Sequence, residues 1–452
     1  MGADDRAKLM DSLKANRRSA RGRTASAASR PAAAAPKRKV YDFKELPQVK
    51  QLQMHRAAAD MMGIENPFFR PHDGLAAGTS VIEGNNYDNF ASYNYLGLNG
   101  HPQVSAAAKA FVDRYGTSVS ASRIVAGERP FHGELEAALA KIHGVESSIV
   151  MVSGHATNVT TIGHLMHKGD LVLTDSFVHN SIAEGVRLSG ATRMNFPHDD
   201  LDALEKMLAD HRHKFERVLV IVEGLYSMDG DFPDLRRIVK LKQAYDAWLM
   251  VDEAHSIGVL GKTGRGIAEH FDVDPNEVEI WMGTLSKTFS SCGGYIAGSK
   301  VLCDYLRVTA PGFVFSVGLS AALAGAAIAS AELLEQEPER VERLQKNGAL
   351  FLKLAKEAGL DTGPSAGYAV VPVIVGDSAG AATLSNRLLA KGINALPIIF
   401  PAVPEKSARI RFFITSEHTE EQIANAVAVT AAELDDMRTE GNAVDRLIKA
   451  AR

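Results

Sequence analysis

The stretch Trp248-Leu249-Met250-Val251-Asp252-Glu253-Ala254-His255 decides the fold class of this 452-residue chain. Apolar residues lead directly into two carboxylates, a pattern typical of a buried strand that ends at a functional site. An unpaired carboxylate is costly to bury, so we expect Asp252 to face a cationic group. Metal-dependent and nucleotide-driven enzymes use similar strings, so the stretch alone does not fix the chemistry.

Similar apolar runs surround this stretch at 147–153, 171–175, 217–224, 279–286 and 295–298, with helix-patterned sequence between them. Strands that alternate with helices predict a mainly parallel sheet covered on both faces. After a long helical region at 319–355, strands at 369–375, 394–399 and 408–415 and a helix at 420–437 indicate a second unit. We therefore predict an α/β fold with a smaller C-terminal α+β domain.

The domain organisation follows from shifts in composition. We predict a disordered basic tail at 1–40, an N-terminal arm at 41–97, a large domain at 98–335, a small domain at 336–438 and a short tail at 439–452. Basic residues alternate with Ala, Ser and Pro in the first tail, which leaves little to bury. We interpret it as a flexible tail. Two alternatives are that it docks to an acidic carrier protein or that it is an organelle transit peptide. Its aspartates count against a transit peptide.

Composition excludes several classes of function. The formal net charge of -4 gives no reason to expect a nucleic acid or a membrane surface as partner. The two cysteines predict no disulfide framework and favour a reducing compartment such as the cytoplasm. No apolar run reaches the roughly 18 residues of a transmembrane helix. We predict no metal site.

Two further motifs carry chemistry. In Gly283-Thr284-Leu285-Ser286-Lys287, the lysine follows an apolar strand and lacks the glycine spacing of a P-loop. We interpret Lys287 as a lysine that forms a Schiff base with a cofactor; a phosphate-binding lysine in a nucleotide site is the alternative. In Ser153-Gly154-His155-Ala156-Thr157-Asn158, small residues open a helix, and helix N-termini bind phosphate through their N–H groups. A protonated pyridine ring would then supply the cation that Asp252 requires.

These motifs belong to an ordered set of seven, at 94–98, 153–158, 179–182, 223–230, 252–255, 283–287 and 409–411. The set resembles the α-oxoamine synthases, pyridoxal-phosphate (PLP) enzymes that join an amino acid to an acyl thioester with loss of CO2. The resemblance covers residues 45–437. It implies the fold of the PLP-dependent aspartate aminotransferase superfamily (fold type I), a seven-stranded sheet, and a homodimer with active sites at its interface.

The resemblance also implies roles for individual residues. Lys287 matches the lysine that carries the cofactor and later moves the Cα proton, and Asp252 matches the partner of the ring nitrogen. His255 matches a contact to the phenolate oxygen, and His179 the imidazole stacked on the ring. The remaining matches are Gly154, His155 and Thr284 at the phosphate, Ser316 reaching that phosphate from the neighbouring subunit, Arg411 at the substrate carboxylate, and Asn94, Glu223 and Ser227 at further active-site positions.

Some features leave the substrate open. After the pair Gly116-Thr117, the segment up to Arg123 has larger residues in place of the glycines common in the family, so specificity does not transfer from a single member. The stretch 407–412 with Glu417-His418-Thr419 looks more like the serine-using members, so we favour serine over alanine and glycine. The acyl group is carried by CoA or by an acyl carrier protein. Arg409, on the same strand face as Arg411, is an alternative carboxylate ligand.

Other functions remain to be weighed against this interpretation. An aminotransferase would keep the fold and change the reaction, and an inactive partner subunit would keep the fold without catalysis. Lys287 argues against the inactive subunit. A binding module driven by the basic tail would not explain seven ordered motifs.

Overall fold

A computed structural model describes residues 42–440 of the chain. The tail predicted at 1–40 and residues 441–452 lie outside the described residues, and the predicted domain boundaries stay predictions. Residues 42–57 belong to a separate unit, which holds a 3-10 turn at Phe43–Glu45 and most of the helix Pro47–Met61. All other elements belong to the second unit.

The described strands are labelled in chain order: β1 (His72–Asp73), β2 (Thr79–Ile82), β3 (Asn85–Asn89), β4 (Ser147–Met151), β5 (Leu171–Asp175), β6 (Thr192–Phe196), β7 (Val218–Glu223), β8 (Trp248–Asp252), β9 (Ile280–Thr284), β10 (Gly294–Gly298), β11 (Val370–Gly376), β12 (Ile393–Asn394), β13 (Leu396–Ile398) and β14 (Ala408–Phe413). The other helices are Pro102–Tyr115, Pro130–His143, Gly154–Leu165, Asn180–Ser189, Leu201–His211, Leu235–Ala244, Ile267–Phe271, Lys300–Thr309, Pro311–Val314, Ala321–Gln336, Glu339–Glu357, Ser378–Ala390 and Glu420–Glu440. Shorter turns of helix lie at Arg123–Gly127, Arg212–Lys214 and Pro275–Glu277.

A seven-stranded sheet with the order β4-β10-β9-β8-β7-β5-β6 forms the centre of the large unit. Neighbouring strands from β9 through to β6 are parallel, whereas β10 is antiparallel to both β9 and β4. The prediction of a mainly parallel, seven-stranded sheet is confirmed. The parallel strands end at one edge, which is where ligands bind in such sheets.

Alternate residues of the same strand enter two different cores. In β7, Val218, Val220 and Val222 pack into one buried cluster, while Leu219 and Ile221 pack into the cluster on the opposite face. A strand covered on both faces needs apolar residues at every position. This is why β7 reads as a continuous apolar run.

A third core belongs to the C-terminal part of the chain. The antiparallel sheet β11-β14-β13 packs there against the helices Ser378–Ala390 and Glu339–Glu357, and both of these helices contact the helix Glu420–Glu440. Phe90, which follows β3, enters this core and stacks on the imidazole of His418 with ring centroids 4.2 Å apart. This contact fixes Phe90 in the core beside the smaller sheet, and the presence of that sheet confirms the predicted C-terminal α+β region.

The structure differs from the sequence-based expectation in three places. The edge strand β6 was missed because its residues Thr192, Arg193 and Asn195 are polar or exposed, as an edge strand tolerates. The helical region predicted at 319–355 is two helices, separated at Glu337 and Pro338. A hairpin of β2 and β3 also lies in the N-terminal arm. Among residues 42–440, no helix is long and apolar enough to span a bilayer.

The buried His418 predicts a loss of stability in acid. Its Nδ1 accepts the N–H of Thr415 at 3.0 Å and its Nε2 donates to the carbonyl of Asn89 at 3.1 Å. Burial lowers the pKa of His418 to about 4. Because the unfolded chain takes up the proton near pH 6.5 and the folded chain does not, stability is lost as the pH falls below about 6.5.

Between pH 7 and pH 5 this histidine should reduce the free energy of unfolding by about 2 kcal/mol. Urea unfolding of the wild type, of His418→Gln and of the exposed-site control His213→Gln checks this at both pH values. The pH dependence should shrink only in His418→Gln. An unchanged pH dependence in that variant contradicts the assignment.

Candidate active site

Three neighbouring strands end in residues that the sequence analysis singled out. Glu223 ends β7, Asp252 ends β8 and Thr284 ends β9, and Lys287 follows on the next turn of chain. Glu223 and Asp252 are register partners in the sheet. Parallel strands thus collect, at one edge, side chains that are far apart in sequence.

Ten of the twelve predicted site residues line one cavity of about 350 Å³: Gly154, His155, His179, Glu223, Ser227, Asp252, His255, Thr284, Lys287 and Arg411. The same cavity is lined by Tyr93, Ser153, Asn158, Ser181, Met228, Ala254, Met282 and Ser286. Of the predicted residues, Asn94 and Ser316 do not line it.

The carboxylate of Asp252 is buried and firmly held. Asn158 donates from Nδ2 to Asp252 Oδ2 at 2.9 Å, and the N–H of Ala254 donates to Oδ1 at 3.0 Å. These neutral donors orient the carboxylate but leave its charge unpaired, so a cationic ligand in the cavity would complete the site.

A hydrogen-bond chain connects Asp252 to His179. Asn158 also donates to the hydroxyl of Ser181 at 3.0 Å, and that hydroxyl lies 2.7 Å from His179 Nδ1. The N–H of His179 donates to Glu223 Oε1 at 2.6 Å. His179 is therefore fixed at the start of the helix Asn180–Ser189, with its ring in the cavity.

The carboxyl group of Glu223 is an unusual neighbour for Asp252. Burial and the adjacent Asp252 carboxylate raise the pKa of Glu223 to about 8. The Glu223 carboxyl thus keeps its proton near neutral pH, so Asp252 supplies the negative charge at this edge of the sheet.

Lys287 and His255 both have shifted pKa values. Burial lowers the pKa of Lys287 to about 8, against the opposing effect of the nearby Asp252 carboxylate. Burial also lowers the pKa of His255 well below its ordinary value, with Lys287 as the next cause. His255 Nδ1 lies 2.7 Å from the phenol oxygen of Tyr95. Near neutral pH, the site therefore holds a neutral imidazole and an amine that can lose its proton.

The N-terminus of the helix Gly154–Leu165 faces Thr284. Ser153 caps this helix by accepting from the N–H of Ala156 at 3.4 Å, and the first-turn N–H groups of a helix have no acceptor within it. A Cβ at Gly154 would lie 2.9 Å from Thr284 Oγ1, so the close approach needs glycine. Backbone donors with a hydroxyl beside them suit an anion such as a phosphate.

The two arginines of β14 have different environments. Arg409 is buried and paired, with Nη1 2.5 Å from Asp229 Oδ1 and 3.1 Å from the carbonyl of Met228. Arg411 lines the cavity, and its Nη1 donates to the carbonyl of Ser227 at 3.0 Å. Arg411 Nε is buried and has no hydrogen-bond partner among residues 42–440. An anionic ligand in the cavity would satisfy it.

Two predicted residues lie elsewhere. The carboxamide of Asn94 donates to the carbonyl of Ala76 at 3.0 Å and accepts from the N–H of Asn99 at 3.0 Å. It lines an adjoining cavity of about 400 Å³ that also reaches Lys287. Ser316 follows the helix Pro311–Val314 and is only partly buried. Its predicted contact from a neighbouring subunit stays a prediction.

Sequence reasoning missed Asn158, Ser181 and Tyr93 as functional residues. Asn158 and Ser181 stand inside quoted motifs, and Asn158 follows Gly154 by four residues, which places both on one face of a helix. That spacing was a usable signal. Tyr93, whose ring lies 5.6 Å from Lys287 Nζ, had no such signal because it lies in an irregular segment without helical or strand periodicity.

Taken together, the cavity fits one kind of cofactor. A glycine-dependent phosphate site, an unpaired buried carboxylate and a lysine of lowered pKa suit, respectively, the phosphate, ring nitrogen and carbonyl of PLP. The Arg411 Nε, which has no partner among residues 42–440, leaves a buried donor suited to a further anionic group.

Comparisons with known proteins agree with this fit. The sequence profile of the family described as aminotransferase class I and II matches residues 86–429. The chain is 40% identical to 8-amino-7-oxononanoate synthase 1 of Bacillus velezensis over 353 residues, which are 78% of this chain and 90% of that protein. It is 38% identical to the 8-amino-7-oxononanoate synthase of Symbiobacterium thermophilum over 388 residues, 86% of this chain and 96% of that protein.

Solved structures resemble it over a similar extent. Serine palmitoyltransferase from Sphingomonas wittichii superposes with a TM-score of 0.82 at 28% identity, over 87% of this chain and 98% of that one. A structure of serine palmitoyltransferase with a PLP internal aldimine gives a TM-score of 0.83 at 28% identity, over 88% and 100% of the two chains.

These matches confirm the fold-type-I assignment and PLP as the cofactor. They also confirm the resemblance drawn from the seven ordered motifs. The chain belongs to the α-oxoamine synthase family and is a PLP-dependent acyltransferase.

Proposed function

We propose that this enzyme condenses a small amino acid with an acyl thioester, giving an α-aminoketone, CO2 and a free thiol. The observation that carries the proposal is Arg411, whose buried, unpartnered Nε lies in the same cavity as Lys287. A guanidinium so placed pairs with the carboxylate of an amino acid while a lysine acts at its Cα.

Lys287 is proposed to hold the cofactor and to move the Cα proton. PLP, when bound, supplies an electron-accepting ring and a carbonyl that reacts with amines. With a pKa of about 8, Lys287 has an appreciable neutral fraction near neutral pH, so its amine can attach the carbonyl and, once released, take the proton from Cα and return it later. Asp252 is proposed to hold the charge on the ring nitrogen.

The surrounding residues are proposed to orient the reactants. His179 is assigned to the face of the ring, His255 to the ring's phenolate oxygen, and Gly154, His155 and Thr284 to the phosphate. Glu223 and Ser227 support this arrangement through the N–H of His179 and the guanidinium of Arg411. Asn94 is assigned to the substrate side, in the adjoining cavity.

Arg411 is proposed to orient the amino acid so that the Cα–H bond is the first to break. By gripping the carboxylate, it presents the Cα proton to Lys287. A bond then forms between Cα and the thioester carbonyl carbon as the thiol leaves, and the carboxylate departs as CO2. The acyl donor is acyl-CoA or an acyl carrier protein thioester.

We also propose that the active enzyme is a homodimer. Ser316 is flanked by Phe315 and Val317, which are 86% and 49% exposed. Large apolar residues at such exposure favour burial against another surface. A second copy of the chain would cover them and bring Ser316 to its phosphate site.

The two free cysteines suit a reducing compartment such as the cytoplasm.

Serine is the first candidate amino acid, supported by the motifs at 407–412 and 417–419 and by the likeness to serine palmitoyltransferases. Alanine is the second. The relatives named 8-amino-7-oxononanoate synthase make a product whose CH3–CH(NH2) end, next to the ketone, is what alanine becomes after losing CO2.

The direct test incubates the purified PLP enzyme with serine, alanine or glycine and a series of acyl-CoAs and acyl carrier proteins. We expect equal amounts of CO2 and free thiol, with an α-aminoketone identified by mass spectrometry. Conversion of the amino acid to its keto acid without thiol release would identify an aminotransferase and overturn the proposal.

Lys287→Ala should abolish turnover, by at least about two orders of magnitude, and covalent retention of PLP. Borohydride reduction followed by peptide mapping locates the attached cofactor in the wild type. The exposed Lys262 provides a matched control, since Lys262→Ala should keep both properties. Recovery of the label on another lysine contradicts the assignment.

Arg411→Ala should weaken amino-acid binding about 10- to 100-fold, because it removes a charge-assisted pair worth roughly 1.5–3 kcal/mol. The affinity for the acyl thioester should change little. Spectral titration with serine and alanine measures the first effect and steady-state kinetics the second.

Arg409→Ala should instead lower the unfolding midpoint, because it leaves Asp229 buried without its partner. A larger loss of amino-acid affinity in Arg409→Ala would mean that the two arginines are reversed.

A further inference from the structure

A charged cluster lies next to the cavity, outside the residues assigned above. His198 stands between two carboxylates: its Nδ1 is 3.0 Å from Asp175 Oδ1, and its Nε2 is 2.9 Å from Asp231 Oδ2. Phe177 stacks on the imidazole with ring centroids 4.3 Å apart. Both ring nitrogens face acceptors, so the ring must carry both protons to satisfy them.

The charge on His198 follows from these contacts. Burial opposes it, but the hydrogen bonds to Asp175 and Asp231 prevail and raise the pKa of His198 to about 10. The side chain is only 15% exposed and those of Asp175 and Asp231 are 1% and 13% exposed. The three groups therefore form a largely desolvated cluster in which removing one member leaves a charge poorly paired.

Asp175 belongs to the segment that carries His179. It ends β5, and its Oδ1 also accepts the N–H of Phe177 at 2.7 Å. Two residues later the N–H of His179 donates to Glu223. The Asp175 carboxylate thus shapes the turn that delivers the imidazole of His179 to the cavity.

Asp231 closes the loop that binds Arg411. Its carbonyl accepts the N–H of Tyr226 at 2.8 Å, and the N–H of Gly230 donates to the carbonyl of Tyr226 at 2.8 Å. Within the loop, the carbonyl of Ser227 accepts from Arg411. The position of Asp231 therefore sets the acceptor that orients the Arg411 guanidinium.

We propose that His198 is a positioning residue that ties the His179 turn to the Ser227 loop, and so fixes the cofactor-facing imidazole relative to the arginine that receives the amino acid. This inference rests on the proposed function for the identity of the ligand at Arg411. His198 itself does not line the cavity, so it acts through Asp175 and Asp231.

A metal site does not account for the cluster. Among residues 42–440, no group of three or more His, Cys, Asp and Glu side chains has the arrangement of a metal site. Both imidazole nitrogens are engaged by carboxylates, which leaves neither free to ligate. Because His198 does not line the cavity, we assign it no acid–base role there.

The test compares PLP-loaded wild type with His198→Gln and Asp231→Asn. Visible circular dichroism of the bound cofactor reports the asymmetry of its surroundings, and spectral titration with L-serine and L-alanine reports amino-acid affinity. We expect both variants to lose at least half of the dichroic signal and to bind the amino acid at least fivefold more weakly. The KM for the acyl thioester should stay within twofold.

His143→Gln is the matched control for a merely structural role. His143 is buried more deeply than His198 and bonds Tyr295 at 2.9 Å, away from both loops. It should lower the unfolding midpoint without changing dichroism or amino-acid affinity. If His198→Gln behaves in the same way as this control, the inference is overturned.

A double variant keeps the test decisive. If His198 acts through Asp231, the effects of His198→Gln and Asp231→Asn on the dichroic signal should not add; full additivity would contradict the inference. Should His198→Gln fail to fold, Asp231→Asn and the surface-accessible Phe177→Leu carry the same expectation, and unchanged dichroism in both overturns it. The dichroic readout needs no amino acid, whereas failure of the proposed function appears in the wild type as absence of CO2 and thiol.

Discussion

Two carboxyl groups lie buried side by side where β7 and β8 end, and the free energy of that arrangement constrains the whole site. Glu223 relieves part of the repulsion by keeping its proton, which leaves the charge on Asp252. Asn158 and the N–H of Ala254 orient that charge without neutralising it. A bound cationic ring is the partner that such a carboxylate requires. The same ion pair would therefore both strengthen cofactor binding and keep the ring protonated.

The remaining site residues are arranged around this charge by a continuous network. Asn158 and Ser181 connect Asp252 to His179, and the backbone of His179 connects to Glu223. On the other side of the cavity, the Ser227 carbonyl orients Arg411. The parallel sheet brings these loops to one edge, and hydrogen bonds between the loops then set distances that the sheet alone does not fix.

Much of the site was predictable from local sequence. The strings at 252–255 and 283–287 place a carboxylate and a lysine directly after apolar strands, and a parallel sheet must bring such ends together. The edge strand β6 was not predictable, because an edge position removes the need for apolar alternation. The different roles of Arg409 and Arg411 were not predictable from local sequence either, because alternate residues of a strand share a face. They differ because Arg409 pairs with the buried Asp229.

The sequence pattern predicts least about residues that act at a subunit interface. Ser316 lies outside the cavity in a single chain, and its assignment depends on a second copy. The substrate is similarly open, because side chains around the two cavities determine it and the segment 116–123 departs from the family pattern. The proposed assignments give the site a polarity: a phosphate at one end, a carboxylate-paired ring nitrogen, and an arginine beside the reacting carbon.

The most direct measurement of this account is the protonation state of the ring nitrogen. Enzyme loaded with PLP labelled with 15N at that position is examined by nuclear magnetic resonance near neutral pH, with Asp252→Asn as the comparison. We expect a protonated pyridine nitrogen in the wild type and loss of that proton in the variant. An unprotonated nitrogen in the wild type, or an unchanged signal in Asp252→Asn, would contradict it.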